Sequence, residues 1–539
     1  MKQAIAVLGL CVAMAWPATS RAFCGFYVSG ADASLYNNAT MVVMMREGTR
    51  TVLSMQNNYQ GPPEDFAMIV PVPVVLQEEN VKTLPSEIFS RVDKLAAPRL
   101  VEYWEQDPCR QMVAYEAMAG SAPRARRMKS SADQESDARL GVTIEAEFTV
   151  AEYDIVILSA KDSGGLDKWL RKNDYNIPKG ANAVLRPYVE QNTKFFVAKV
   201  DAKKVKFRDG KAVLSPLRFH YDAPTFTLPV RLGLLNSAGK QDLIVHLLGK
   251  KQRYEVANYK NASIPTNIRV EDSVRKSFGG FYDALFERTA QKNPGAVVTE
   301  YAWDATTCDP CPEPPLRPDE LALLGGDVIV PAEQDPYSDI PGVVPRRRPS
   351  RAFQPYGFVL TRLHYRYDKD GLDEDLVFRA AGPIVGGRGM PNQSGELGER
   401  RAQASSVNNF QGRYVILHRW EGELTCSSPQ RGTWGGPPRG PAPRPFAAGN
   451  TALEGTATKT LTNQLPGLIR TDIPELDLEA GTIDLAPKGA PASDEGQGGP
   501  TSEVVTPDGC AVSAAKSASF GWIAVCIVAM WLTRRRTSQ

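Results

Sequence analysis

Few side chains in this sequence have the type and spacing for chemistry. The best-spaced pair is Cys308-Asp309-Pro310-Cys311, a CxxC of the kind that cycles between dithiol and disulfide. Such a pair becomes reactive when a helix N-terminus or a nearby cation stabilises one thiolate. Here Pro312, Pro314 and Pro315 follow and disfavour a regular helix directly after Cys311, so a structural disulfide outweighs redox catalysis. Zinc would need a second ligand pair at a recognisable spacing, which a single CxxC does not supply. The four histidines, His220, His246, His364 and His418, each fall in a strand-like segment and none belongs to an HExxH pattern. They read as core or rim residues. Asp368, Asp370, Asp373 and Asp375 offer oxygens to calcium, but their spacing departs from the EF-hand loop and an Asp-Gly turn is the simpler account. There is no G-x-S-x-G elbow, and Gly233 to Lys240 lacks both the spacing of a P-loop and its final Ser or Thr. No metal or cofactor is implied, and no catalytic residue can be named.

The remaining cysteines bear on compartment. Cys24, Cys109, Cys308, Cys311 and Cys426 are the disulfide candidates once the two ends of the chain are set aside. Five is odd, so one stays free or pairs elsewhere. The expected pattern bridges Cys24 to Cys109, with Cys308 and Cys311 oxidised to each other or one of them to Cys426. Such bridges belong to an exported chain.

Both ends carry targeting patterns. Lys2, the apolar run Ala4 to Trp16 and Ser20-Arg21-Ala22 form a secretory signal with cleavage before Phe23. Phe23 stands where a lipoprotein signal needs a small residue, which sets aside lipidation of Cys24. At the other end come Gly509-Cys510, an apolar run Phe520 to Leu532, and Arg534, Arg535 and Arg536. The run is shorter than the ~20 residues that span a bilayer, and the three arginines would stay on the cytoplasmic side. Together the ends place the body outside the inner membrane, held near its C-terminus.

Between them, 539 residues with 42% hydrophobic and 23% charged suffice to bury a sizeable core. A net charge of +2 is too small to imply nucleic acid. Proline, glycine and charge clusters divide the chain into a main domain 23–309 with a basic loop 121–137, a proline-rich linker 310–351, a smaller β-rich piece 352–426, and a hydrated disordered stalk 427–508. Strands dominate. Met41 to Arg46 and Arg50 to Gln56 flank Glu47-Gly48-Thr49 as a hairpin, and Pro71 and Pro73 make Phe66 to Leu76 an edge or bulged strand. Further strands are expected at Ile144 to Leu158, Lys194 to Val200, Ala212 to Phe219, Thr225 to Leu232, Asp242 to Leu248, Ala296 to Trp303, Tyr356 to Tyr367 and Arg413 to Trp420. Helices are expected at Ser86 to Trp104 with a break at Pro98, at Gly165 to Lys172, Ala181 to Gln191 and Glu271 to Thr289. The fold class is α+β, predominantly antiparallel, with a sandwich as one arrangement. Asn57-Asn58-Tyr59-Gln60-Gly61 recurs as Asn408-Asn409-Phe410-Gln411-Gly412. A repeated turn explains every residue except Gln, and outweighs a paired carbohydrate contact.

Several phrases coincide: Asn57 to Gly61 with Phe66-Ala67-Met68-Ile69-Val70-Pro71-Val72-Pro73, then Trp104-Glu105-Gln106-Asp107-Pro108-Cys109, Tyr301-Ala302-Trp303-Asp304 and Cys308 to Cys311. Together they resemble the exported bacterial family known as domain of unknown function 2330, over about Phe23 to Cys426. The resemblance implies export and a shared fold, and supplies no catalytic residue. The tail from Gly509 to Arg536 is similar to the myxobacterial C-terminal sorting signal, which implies processing at Gly509-Cys510 and contact with export and processing machinery. The function expected is a non-enzymatic structural, adhesive or partner-binding module of the cell envelope. The alternative is an envelope enzyme, either a thiol oxidoreductase using Cys308 and Cys311 or a hydrolase with unrecognised carboxylates.

Overall fold

The computed structural model describes residues 26–28, 40–56, 67–109, 141–173, 175, 177, 180–208, 211–236, 240–329, 356–368, 371–437, 445–447 and 459–481. The signal, Cys24, the basic loop 121–137, Asn57 to Gly61 and the tail with Gly509, Cys510, Arg534, Arg535 and Arg536 lie outside these residues. Among the described residues no helix is long and apolar enough to cross a membrane.

The fold is α+β and mostly antiparallel. Its frame is an eleven-stranded sheet. Thr40–Glu47 and Arg50–Met55 form the expected hairpin, with Gly48 at φ +57° in the turn. Thr40–Glu47 also runs parallel to Gln241–Lys250, which pairs with Phe358–Tyr367 over ten residues, and that strand pairs in turn with Ala296–Asp304. A second sheet of five strands stacks on this one. Met68, Val70, Phe148, Ile155, Ile157, Phe196 and Ala198 from it meet Val42, Met44, Leu53, Phe219, Leu243, Val245 and Leu363 from the main sheet in one core. Alternating apolar residues on both inner faces produce the sandwich. In the second sheet, Ala67–Val72 is flanked on one side by Lys194–Val200 along its whole length, but on the other only through Ile69. Among the described residues Pro71 therefore has a ladder partner on one side alone, which suits its missing N–H.

Helices seal the outer faces. Ser163–Lys172 and Ala181–Glu190 cover the second sheet through Leu166, Trp169, Leu170, Leu185 and Tyr188. On the main sheet, Glu87–Ala96 lays Phe89, Val92 and Leu95 against Val43, Met45 and Leu360. Beside it, Phe278–Lys292 buries Phe278, Phe281, Leu285 and Phe286.

Five boundaries differ from the sequence reading. The helix expected from Glu271 begins only at Phe278, after a 3-10 turn Asp272–Lys276. Helix Glu87–Ala96 ends before Pro98, and Arg99–Glu105 continues as a strand parallel to Arg413–His418. Ile144 to Leu158 is a hairpin of Val142–Val150 and Tyr153–Ala160, turned at Ala151 with φ +52°. Pro216 separates Lys211–Val213 from Leu217–Asp222. Only Thr227–Leu228 of Thr225 to Leu232 is a strand.

The domain division is also corrected. The piece read as 352–426 supplies Phe358–Tyr367 to the middle of the main sheet, so it is one body with 23–309. Within the expected linker, Leu316, Leu321, Leu324 and Ile329 pack on the main sheet, and residues Pro318–Leu321 form a short helix. A Cβ on Gly325, at φ +141°, would meet Val52 at 2.9 Å. Residues 330–350 lie outside the described set. The expected stalk differs as well: Trp434–Gly435 pairs with Arg99–Glu105, and helix Lys459–Leu468 packs on Phe278–Lys292. Leu465, Ile469, Ile473 and Leu476 are each 1% exposed or less. Pro, Gly and Thr around them concealed an apolar set that one helix turn and the following loop bring together. Leu465→Ala should therefore cost about 2–5 kcal/mol in urea unfolding, whereas a stalk residue would change nothing measurable.

Candidate functional site

The densest chemistry lies where the sequence reading placed ordinary core. On Phe358–Tyr367, Leu363, Tyr365 and Tyr367 face the inter-sheet core, so alternation sends Arg362, His364 and Arg366 to the opposite face. That face is closed by Glu87–Ala96 and Phe278–Lys292, and the three cations are met there by carboxylates. Arg362, fully buried, donates to Asp93 and, through Nε, to Glu300 Oε2 at 2.6 Å. Glu300 occupies a bulge in Ala296–Asp304, where the register shifts between Thr299 and Tyr301. The extra residue re-aims its carboxylate toward its partners, and it also accepts from the Tyr282 hydroxyl.

His364 bridges Glu300 Oε1 at 2.8 Å through Nδ1 and Asp242 Oδ1 at 2.9 Å through Nε2. Both neighbours are acceptors, so both ring nitrogens donate and the ring is an imidazolium. It stacks on Phe286 with centroids 3.7 Å apart. Arg366 grips Asp242 through two bonds of 2.7 and 2.9 Å, and reaches Asp283 at 2.7 Å and Glu287 at 2.8 Å. Lys240 completes the chain at the surface, 3.1 Å from Glu287. His246 is different: buried, with Nε2 3.3 Å from the Arg362 guanidinium, it accepts and stays neutral.

Burial alone would push these groups toward their uncharged forms. For Glu300 the charges and hydrogen bonds of His364 and Arg362 overcome burial and hold its carboxyl down at about 2. Asp242 is likewise held well below the carboxylate range by Arg366 and His364. His364 is raised, because Glu300 and Asp242 outweigh the burial that would lower it. At Asp93 burial prevails and its carboxyl rises in spite of Arg362. His246 is driven well below its ordinary value by burial and then by Arg362. The charged groups of this chain are engaged by one another, while the neutral His246 keeps a buried Nδ1 with no hydrogen-bond partner.

The cysteines pair otherwise than expected. Cys109 is bridged to Cys426, 317 residues away, in place of Cys24. The reason is local: Glu105, fully buried, accepts from the Gly432 amide at 2.8 Å, the Trp420 amide at 3.0 Å and Arg431 at 3.1 Å. These bonds fold 420–434 back over Arg99–Glu105 and bring Cys426 to Cys109. Cys308 and Cys311 are bridged to each other. After Cys311 the next described helix begins only at Pro318, so the CxxC does not itself open a helix. The hairpin they close is held by Arg99, which donates to Pro310 O at 2.9 Å, and by Gln411, which donates to Asp309 O at 2.7 Å. That bond accounts for the glutamine a turn could not explain. Asn409–Gln411 is a strand, with Phe410 and Gln411 fully buried, so its motif is neither a turn nor an exposed sugar contact.

The acidic turn is a turn. Asp368 accepts from the Gly371 amide at 3.0 Å, while Asp375 points elsewhere and accepts from Tyr188, Val230 and Arg231. Asp370 lies outside the described residues. Among the described residues no group of three His, Cys, Asp or Glu is placed to hold a metal ion.

The buried chain gives a two-sided pH dependence. His364 has a raised folded value, so its contribution to stability is complete below its unfolded value of ~6.5 and is lost as pH rises through the folded value. Glu300 has a depressed value, so its contribution is complete above the ordinary carboxylate range and is lost as pH falls toward about 2. Urea unfolding across pH 4–9 should show stability falling on the alkaline side, and His364→Gln should remove that fall. Glu300→Gln, which leaves Arg362 with Asp93 and His364 with Asp242 as their remaining carboxylates, should cost about 3–5 kcal/mol near neutrality.

The family model described as an uncharacterized protein conserved in bacteria, domain of unknown function 2330, matches residues 18–379. No curated protein and no solved structure matches the chain. Ala296–Asp304, the CxxC hairpin and most of the buried ionic chain fall inside the matched span, which covers well over half of the 539 residues. The chain belongs to this bacterial family of uncharacterized proteins.

Proposed function

We propose that the protein is exported and works in the cell envelope as a non-enzymatic structural or partner-binding module, held near the membrane by its C-terminal segment. The observation that carries this reading is the pair of disulfides, Cys109–Cys426 and Cys308–Cys311, since such bridges persist in oxidising compartments and are rare in the cytosol. The N-terminal pattern of Lys2, Ala4 to Trp16 and Ser20-Arg21-Ala22 supports export. Phe520 to Leu532 followed by Arg534, Arg535 and Arg536 supports retention at the inner membrane during passage. Processing at Gly509-Cys510 would then leave the body outside. The charged groups of the core spend their hydrogen bonds on one another, which favours a rigid body over a catalytic one.

Cell fractionation combined with non-reducing peptide mapping tests this. The expected result is envelope protein starting at Phe23, with Cys109 linked to Cys426 and Cys308 to Cys311. Replacing the three arginines should release or mislocalise it, and an intact mass through Gln539 would exclude processing while keeping a plain anchor. Cytoplasmic protein with free thiols would overturn the reading. In the chain-entropy model, Cys109→Ser removes a 317-residue closure and should lower stability by up to about 5 kcal/mol.

A further inference from the structure

A second strand repeats the charged alternation, and it is open to solvent. On Leu217–Asp222, Leu217, Phe219 and Tyr221 enter the inter-sheet core, so Arg218, His220 and Asp222 face the other way. Arg218 is buried against Asp327 at 2.6 Å. His220 and Asp222 instead line an open concavity of about 270 Å3, with Arg50, Val74 and Asn80 around it. We propose that this concavity binds a neutral polyhydroxylated ring, a single sugar unit, through Asp222, Arg50 and His220.

Hydrogen-bond direction supplies the argument. Asn80 Oδ1 accepts from the Gln77 amide at 2.8 Å, which fixes the orientation of its side-chain amide. Asn80 Nδ2 therefore faces His220 Nε2 at 3.3 Å. Nε2 accepting from that amide leaves the proton of a neutral imidazole on Nδ1, and the Asn80 backbone carbonyl is the further group that favours a proton on this ring. Burial, and then the charges of Arg50 and Arg218, keep this ring below its ordinary value and so neutral. Arg50 and Asp222, paired across the strands, form a two-bond fork of 3.0 and 2.7 Å. The pair cancels its own charge yet stays exposed, with 34% and 53% of the side chains accessible.

Asp222 Oδ1 already accepts from Arg50 and from the Thr49 hydroxyl at 3.3 Å, and Arg50 also donates to Val328 O at 3.3 Å. The concavity thus offers the remaining lone pair of Asp222 Oδ2, the outer N–H groups of Arg50, an imidazole and an amide, with the Arg50–Asp222 pair neutral as a whole. Donors and acceptors side by side match adjacent hydroxyls, and Val74 offers an apolar contact to the C–H face. Charged ligands gain little from a site already neutralised. The volume lies just under the ~300–1,000 Å3 of pockets for drug-sized ligands, which suits one ring rather than a chain. This deepens the binding-module reading and rests on it.

Saturation-transfer NMR on the purified full chain, with glucose, galactose, mannose, N-acetylglucosamine and glucuronate as probes, tests the site. At least one neutral sugar should receive transfer, and Asp222→Asn and His220→Ala should each weaken its binding tenfold or more. Asp222 is exposed, so its variant should melt with the wild type, and that melt separates loss of binding from loss of fold. No transfer to any neutral sugar, transfer to glucuronate alone, or transfer unchanged in both variants would overturn the proposal. Such failure would leave the fractionation and disulfide results standing, whereas cytoplasmic protein with an intact sugar site would remove the envelope reading alone.

Discussion

The pairing of Arg362 with Glu300 is the constraint around which the main sheet is arranged. Both side chains are fully buried, and either one alone would leave an uncompensated charge inside a protein core. Satisfying them recruits Asp93 from one helix, Tyr282 from another, and His364 and Asp242 from adjacent strands. An ion pair of this kind does not guarantee net stability, because the cost of dehydration rivals the attraction. Its stronger effect is on register. A one-residue slip of Phe358–Tyr367 would turn Arg362, His364 and Arg366 into the inter-sheet core and put Leu363, Tyr365 and Tyr367 among carboxylates. Only one register satisfies both faces.

Much of this architecture is legible in the sequence. The hairpin around Gly48, the strands Lys194–Val200, Ala296–Asp304 and Phe358–Tyr367, and the helices Ser163–Lys172 and Ala181–Glu190 follow from local pattern. What escaped depends on partners far away in the chain. Arg99–Glu105 looks like the end of a helix until Arg413–His418 lies beside it. Segment 459–481 is poor in regular pattern, and only its contacts with Phe278–Lys292 reveal Leu465 and Ile469 as core. The buried ionic chain did leave a trace, since Arg362, His364 and Arg366 alternate with Leu363, Tyr365 and Tyr367. Basic residues at every second position of a central strand require acidic partners under a cover, but which carboxylates supply them is fixed by the fold alone. Glu300 is reached through a bulge, and nothing in Ala296 to Trp303 announces one.

The disulfides follow the same division between local and distant information. Cys308 and Cys311 are close in sequence and their pairing was among the expected ones. Cys109 and Cys426 meet because Glu105 captures the Gly432 and Trp420 amides, an interaction invisible until the strand and the returning segment share an edge. The bridge then locks what the carboxylate has arranged. Burial would raise the Glu105 carboxyl, but those two amides and Arg431 pull it below its ordinary value, so the charge is stabilised by the segment that the disulfide retains.

Two strands of one sheet carry the same kind of pattern with opposite outcomes. Arg362, His364 and Arg366 are roofed by two helices, and their partners come from within the protein, so the histidine is charged and fixed. On Leu217–Asp222 the described cover meets Arg218 through Asp327 and reaches Arg50 through the Val328 carbonyl, and among the described residues His220 and Asp222 face a concavity beside it. The histidine there is neutral because burial, and then the charges of Arg50 and Arg218, disfavour its protonated form. Covering decides between strut and site. A charged stripe sealed by helices must satisfy itself, whereas the same stripe at an uncovered end of the sheet keeps donors and acceptors for something from outside.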